Sequence, residues 1–193
     1  MGKIVDIWAE SWTSKSYLEV VRVCLWQFKL GTVKLRGPNF LNTCPSNQAG
    51  QFDNAVSERF DVEAMINYCC DELKVKNLWV VGWSFGTDLA LKFARDKRVK
   101  GLILLSPPLR YSTEADLQWW NNDGRPVIAL VPEHDEFLKP AEAIKRFAPL
   151  KQVSIIAVED AKHLWVGEPA VYRVLSEIAK IIAPNRLPLR EEF

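Results

Sequence analysis

Ser84 is the side chain in this sequence best placed to do chemistry. It stands in Val80-Val81-Gly82-Trp83-Ser84-Phe85-Gly86-Thr87-Asp88, with a glycine two positions away on each side. The apolar, strand-like run Leu78-Trp79-Val80-Val81 leads in, and a helix-like run from Leu89 to Arg95 leads out. A nucleophile elbow requires that strand–turn–helix setting. The glycines allow a tight, strained turn without a Cβ clash. The helix that follows turns its backbone N–H groups and positive dipole end toward developing negative charge. The plainer alternative is a strand-to-helix connection that happens to hold a serine between two glycines.

A serine hydroxyl is a weak nucleophile unless a base and an orienting acid accompany it. The chain has 2 histidines, His134 and His163. His163 follows the strand-like run Val153-Ser154-Ile155-Ile156-Ala157-Val158, and His134 follows Val127-Ile128-Ala129-Leu130-Val131. Both sit at the carboxyl ends of expected parallel strands, where open α/β sheets place their sites. Asp135 lies in the second of these loops, and Glu133, Glu136 and Asp160 are near enough to compete for the role of acid. Read along the chain, the order is Ser84, Asp135, His163, the serine–acid–histidine order of one well-defined layout.

With these residues in place, the chain resembles the α/β-hydrolase superfamily, and within it the small, lidless bacterial serine hydrolases of the dienelactone-hydrolase-like and esterase type. The resemblance rests on Val-Gly-Trp-Ser-Phe-Gly, on Leu102-Ile103-Leu104-Leu105-Ser106-Pro107-Pro108, on Pro132-Glu133-His134-Asp135-Glu136-Phe137-Leu138-Lys139-Pro140, and on Ala161-Lys162-His163-Leu164-Trp165-Val166-Gly167. It covers the region from Thr32 to Ile182. It implies Ser84 as nucleophile, Asp135 as orienting acid and His163 as general base. It also implies an oxyanion hole built from the N–H of Phe85 and from the loop after the first strand, Ala9-Glu10-Ser11-Trp12-Thr13, where Ser11 or Trp12 would supply the second donor. The serine at position 84 excludes the members that use cysteine.

The chain departs from the superfamily pattern at three points. Pro132 stands where the acid loop usually opens with glycine. Glu10-Ser11-Trp12 replaces the His-Gly or Gly-Gly of the oxyanion loop, and Glu10 would bring a negative charge near a site meant to stabilise one. Only two residues precede the first expected strand, which leaves no room for the antiparallel strands that usually open the fold. Of the 8 tryptophans, Trp83 and Trp165 are expected to line the substrate pocket, as an aromatic wall for an apolar group; packing in the core is the competing reading for each.

Strands alternating with helices position these residues. Strands are expected at Lys3–Trp8, Thr32–Arg36, Asn77–Val81, Val99–Leu105, Pro126–Val131 and Gln152–Val158. Helices are expected over Ser14–Leu30, from a Ser57 cap to Leu73, after the elbow, and over Thr113–Trp120, Pro140–Ala148 and Glu168–Ile182. Phe60, Met65, Ile66, Cys69 and Leu73 are assigned to the inner face of the second helix, and Gly37–Val56 to a long polar loop. Such alternation argues for a three-layer α/β sandwich around a mainly parallel sheet of about six strands, with helices on both faces. Right-handed crossovers and the resemblance give the order 2-1-3-4-5-6. Residues 1–183 form one domain in this reading, and 184–193 a mobile tail.

Composition narrows the function classes. A chain of 193 residues, 48% hydrophobic and 25% charged, is that of an ordinary globular domain. A net charge of +1 gives no electrostatic reason to expect nucleic acid. No apolar run approaches the roughly 18 residues of a membrane span, and the N-terminus lacks the pattern of a signal peptide. Cys24, Cys44, Cys69 and Cys70 show no metal-ligand spacing and read as reduced thiols. The expectation is a cytoplasmic monomer or homodimer that needs no metal or organic cofactor. It would cleave an ester or thioester of a small apolar acid through a Ser-His-Asp triad and an acyl-enzyme. The alternative, signalled by Glu10 and the missing glycine, is a catalytically silent protein of the same fold that binds a ligand or partner.

Overall fold

The computed structural model describes residues 23–26 and 54–189. Among the described residues five strands form one parallel sheet: β1 Val23–Trp26, β2 Leu78–Trp83, β3 Val99–Leu105, β4 Val127–Pro132 and β5 Val153–Val158, lying side by side in that order. Helix α1 (Glu58–Asn67) continues into a π turn over Tyr68–Glu72 before β2. Then α2 (Phe85–Phe93), α3 (Glu114–Asp123), α4 (Pro140–Arg146) and α5 (Glu168–Ile182) follow the successive strands.

The two-residue period of each strand sorts its side chains onto two faces. Leu78, Leu102, Leu104, Val127, Ala129 and Val131 pack with Val62 and Ile66 of α1, Leu89 of α2, Leu117 and Trp120 of α3 and Ala143 of α4. Val81, Ile103, Leu105, Ile128 and Leu130 face the other way, onto Val174, Ile178 and Ile182 of α5. Both faces being covered explains why Leu102–Leu105 of β3 and the whole of β4 read as continuous apolar runs. Gly101 fits the sheet because a Cβ there would lie 2.6 Å from the Pro126 carbonyl oxygen and 2.5 Å from the Trp79 ring.

One expectation is overturned at β1. Val23–Trp26 falls inside the helix expected over Ser14–Leu30, yet it is a strand, paired in parallel with Trp79–Gly82. Val-Cys-Leu-Trp is a short, unbroken apolar run, and periodicity alone cannot separate a helix face from a buried strand over so few residues. The neighbour of the elbow strand is therefore Val23–Trp26 in place of Lys3–Trp8. The strands expected at Lys3–Trp8 and Thr32–Arg36, and the loop from Gly37 as far as residue 53, lie outside the described residues. The last four strands keep the expected order.

Two smaller corrections concern α1. Ser57 has helical backbone angles and makes no side-chain cap to the helix. Phe60 is exposed, with Arg59 over its ring at 4.5 Å, while Val62 takes the inward place. Among the described residues no helix is long and apolar enough to cross a membrane.

Candidate active site

The elbow forms as its glycines require. Ser84 has φ 51° and ψ −122°, a strained conformation for a residue with a side chain, between the end of β2 and the start of α2. A Cβ on Gly82 would lie 2.4 Å from the Gly86 carbonyl oxygen and 2.8 Å from the Thr87 nitrogen, so only glycine permits this approach. The turn is closed by Thr87, whose N–H and hydroxyl both donate to the Ser84 carbonyl at 2.9 and 2.7 Å. Phe85 opens α2 directly after the serine.

Backbone bonds beyond the strand ends tie the neighbouring loops into one rim. The Ser84 N–H donates to Leu105 O at 2.9 Å, and the Ser106 N–H to Leu130 O at 2.9 Å. Further along, the Glu133 N–H donates to Val158 O at 2.9 Å and the His134 N–H to Ala161 O at 3.0 Å. These bonds bring the loops after β2, β4 and β5 to the same edge of the sheet.

On that rim Ser84, Asp135 and His163 come together. His163 Nε2 lies 2.8 Å from Ser84 Oγ, and Nδ1 lies 2.9 Å from Asp135 Oδ2. With a proton on Nδ1 donated to the carboxylate, Nε2 is left to accept from the serine hydroxyl. His163 and Asp135 are 4% and 2% exposed. The other Asp135 oxygen accepts the N–H groups of Phe137 and Leu138 at 2.8 and 3.2 Å. Burial pushes the Asp135 carboxyl up. The His163 ring and the two amides outweigh burial and hold it below its ordinary value.

Of the competing acids, Glu136 is exposed and lies close by, but the carboxylate on His163 Nδ1 is that of Asp135; Glu133 and Asp160 face one another and His134. Glu133 accepts the Asp160 N–H at 3.0 Å, and His134 faces Glu133 and Asp160 at 3.9 and 3.8 Å on the exposed surface. Glu133, His134 and Asp160, and separately Asp135, Glu136 and His163, each bring three possible metal-ligating atoms within 4.8 Å. The first set is exposed surface charge, and in the second both imidazole nitrogens are already engaged.

The two tryptophans expected in the pocket have different surroundings. Trp83 is half-buried and its Nε1–H donates to the His163 carbonyl at 3.1 Å. Trp165, 5% exposed, packs among the residues beneath α5, and its buried Nε1 has no hydrogen-bond partner among the described residues. It is a core residue here, and its backbone takes φ 50°. Ser11, Trp12 and Glu10 lie outside the described residues.

Sequence reasoning missed Phe137, Leu164 and Val166, large apolar side chains left exposed, the last two on the chain segment that follows His163. The Phe137 ring meets the His163 ring edge-on, centroids 4.6 Å apart. A usable signal existed: Phe137 and Leu164 follow Asp135 and His163 closely in loops where solvent exposure favours polar residues.

Known proteins agree with this architecture. The family model described as "alpha/beta hydrolase fold" matches residues 37–126. No curated protein matches the chain. Among solved structures, an α/β serine hydrolase homologue from Coxiella burnetii is 23% identical with a TM-score of 0.54, over 73% of this chain and 64% of that one. A lidless α/β serine hydrolase from Xanthomonas campestris is 22% identical with a TM-score of 0.50, over 61% of this chain and 53% of that one. The Pyrococcus furiosus esterase Pf2001 is 19% identical with a TM-score of 0.52, over 70% and 63%. The chain thus spans less than two thirds of the length of these structures. Its parallel sheet and elbow turn are those of the α/β-hydrolase fold that the matched segment and these structures share.

Proposed function

We propose that the protein is a serine hydrolase that cleaves an ester or thioester of a small apolar acid. The observation that carries this reading is the unbroken run of contacts from Ser84 Oγ through His163 to Asp135, at 2.8 and 2.9 Å. His163 accepts the Ser84 proton as Oγ attacks the substrate carbonyl, and Asp135 stabilises the imidazolium that forms. The oxyanion is held by the N–H of Phe85 and by a second amide from Ser11 or Trp12. Collapse breaks the bond to the alcohol or thiol, which leaves with the proton from His163. Water, deprotonated by His163, then attacks the acyl-enzyme and releases the acid. The exposed Phe137 against the His163 ring, with Leu164 and Val166 exposed on the segment after it, supports an apolar substrate group.

A fluorophosphonate probe tests the reading. Covalent labelling of the wild type, abolished by Ser84→Ala, is the expected result. An unlabelled wild type, inert toward a panel of acyl esters and thioesters, would overturn it in favour of a silent binding protein of the same fold.

A further inference from the structure

The loop that carries His163 belongs to no helix or strand. Asp160 and Trp165, which bracket it, both take left-handed backbone angles of 53° and 50°. Its own bonds are few: the Trp165 N–H donates to Lys162 O at 3.0 Å, and Ala161 O accepts from His134. Yet the imidazole must hold two contacts at once, and small backbone shifts would break one of them.

What fixes the backbone at the histidine itself is a pair of side-chain donors on one acceptor. The His163 carbonyl accepts the Trp83 Nε1–H at 3.1 Å and the Ser106 Oγ–H at 2.9 Å. Trp83 immediately precedes Ser84 at the end of β2. Ser106 directly follows β3, is 1% exposed and takes φ 48°. Its own N–H is anchored on Leu130 O. Two adjacent strand ends therefore grip the one peptide unit whose rotation would swing the imidazole.

We propose that Trp83 and Ser106 are positioning residues that clamp the His163 carbonyl and thereby set the base in register with the nucleophile. The tryptophan beside Ser84 thus works through its N–H on the base, and only its ring is left for substrate. The kinetic part of this proposal rests on the serine-hydrolase reading; the geometric part does not. Because a carbonyl oxygen has two lone pairs, either donor alone still holds the unit in part. Losing both removes the restraint.

The test uses Trp83→Phe, Ser106→Gly and the double variant in the full chain. Trp83→Phe keeps an aromatic ring and deletes the donor. Ser106→Gly deletes the hydroxyl while relaxing the left-handed backbone, so folding is preserved. Each single variant is expected to lower kcat by about three- to tenfold at unchanged KM, the scale of one neutral hydrogen bond. The double variant should lose more than the product of the two. In proton NMR, the downfield His163 Nδ1–H resonance should shift or exchange faster in each variant. Wild-type kcat and an unmoved resonance in both single variants would overturn the clamp, as would a loss carried in KM alone. If the wild type is not labelled by a fluorophosphonate, the hydrolase reading falls and the NMR signal alone decides the clamp. Should Trp83→Phe fail to fold, Ser106→Gly decides by the same two readouts.

Discussion

The elbow after β2 and the histidine loop after β5 meet at Ser84 Oγ and His163 Nε2, 2.8 Å apart, and again where Trp83 donates to the His163 carbonyl, but they are built on different principles. The elbow is local. Gly82, Ser84, Gly86 and Thr87 determine one another within six residues, through a close backbone approach and two bonds to the Ser84 carbonyl. The histidine loop is held from a distance, by Asp135 on the ring and by Trp83 and Ser106 on the carbonyl. A strained turn can be stored in a contiguous motif. The orientation of a flexible ring has to come from the surrounding fold.

The largest effects should come from cutting the Ser84–His163 contact between the two regions. Ser84→Ala and His163→Ala should each lower kcat by a similar factor, on the order of 10⁶ if the residues act as one unit, and the double variant should lose little more. Steady-state kinetics with an activated ester measures this, and additive losses would separate the two regions functionally.

Asp135→Asn should cost about 10⁴ in kcat, while Glu133→Gln and Asp160→Asn leave it nearly unchanged. A pH series sharpens this prediction. The Asp135 carboxyl is held below the ordinary value of 3.8 in the folded protein, so its contribution to stability is present above that pH and fades as the pH falls below it. The gap in Tm between wild type and Asp135→Asn should therefore be widest near neutrality and close in acid. A gap that widened in acid would reverse the assigned direction.

The elbow should break by sterics alone. Gly82→Ala places a methyl against the Gly86 carbonyl, where neither backbone can yield cheaply, and should destabilise by about 1–3 kcal/mol in denaturant unfolding. An unchanged midpoint would mean that the turn relaxes freely. The smallest effect is expected at the rim of the histidine loop. Phe137, 57% exposed beside the imidazole, should affect binding more than chemistry. Phe137→Ala should raise KM for longer acyl esters by about tenfold and hardly alter acetate; equal changes for both would remove it from substrate contact.

The same contrast governs how much of the molecule is legible in the sequence. The elbow, β3 at Val99–Leu105 and α5 at Glu168–Ile182 follow from contiguous patterns, because apolar runs and turn residues act over a few positions. The order Ser84, Asp135, His163 is legible as well. The choice among the nearby carboxylates is not, since it depends on a turn in which Asp135 receives the Phe137 and Leu138 amides. Ser106 carries no sequence signal, because its partner is 57 positions away. Trp165 reads as a pocket residue from its place beside the histidine, but it packs in the core beneath α5, in a cluster drawn largely from far along the chain. Val23–Trp26 is too short for its period to declare a strand.

Asp88, buried on α2, carries a consequence for the segment after β3. Its carboxylate accepts the N–H groups of Arg110, Tyr111 and Ser112 at 3.3, 3.1 and 2.8 Å, and Tyr111 sets its ring edge-on to Phe85 at 5.3 Å. Three successive amides outside any helix or strand thus share a solvent-shielded anion. In deuterated water they should keep their protons as long as a sheet amide does, and release them only when α2 itself opens. A stretch that looks like a connecting loop should thus exchange as part of the helix that follows Ser84.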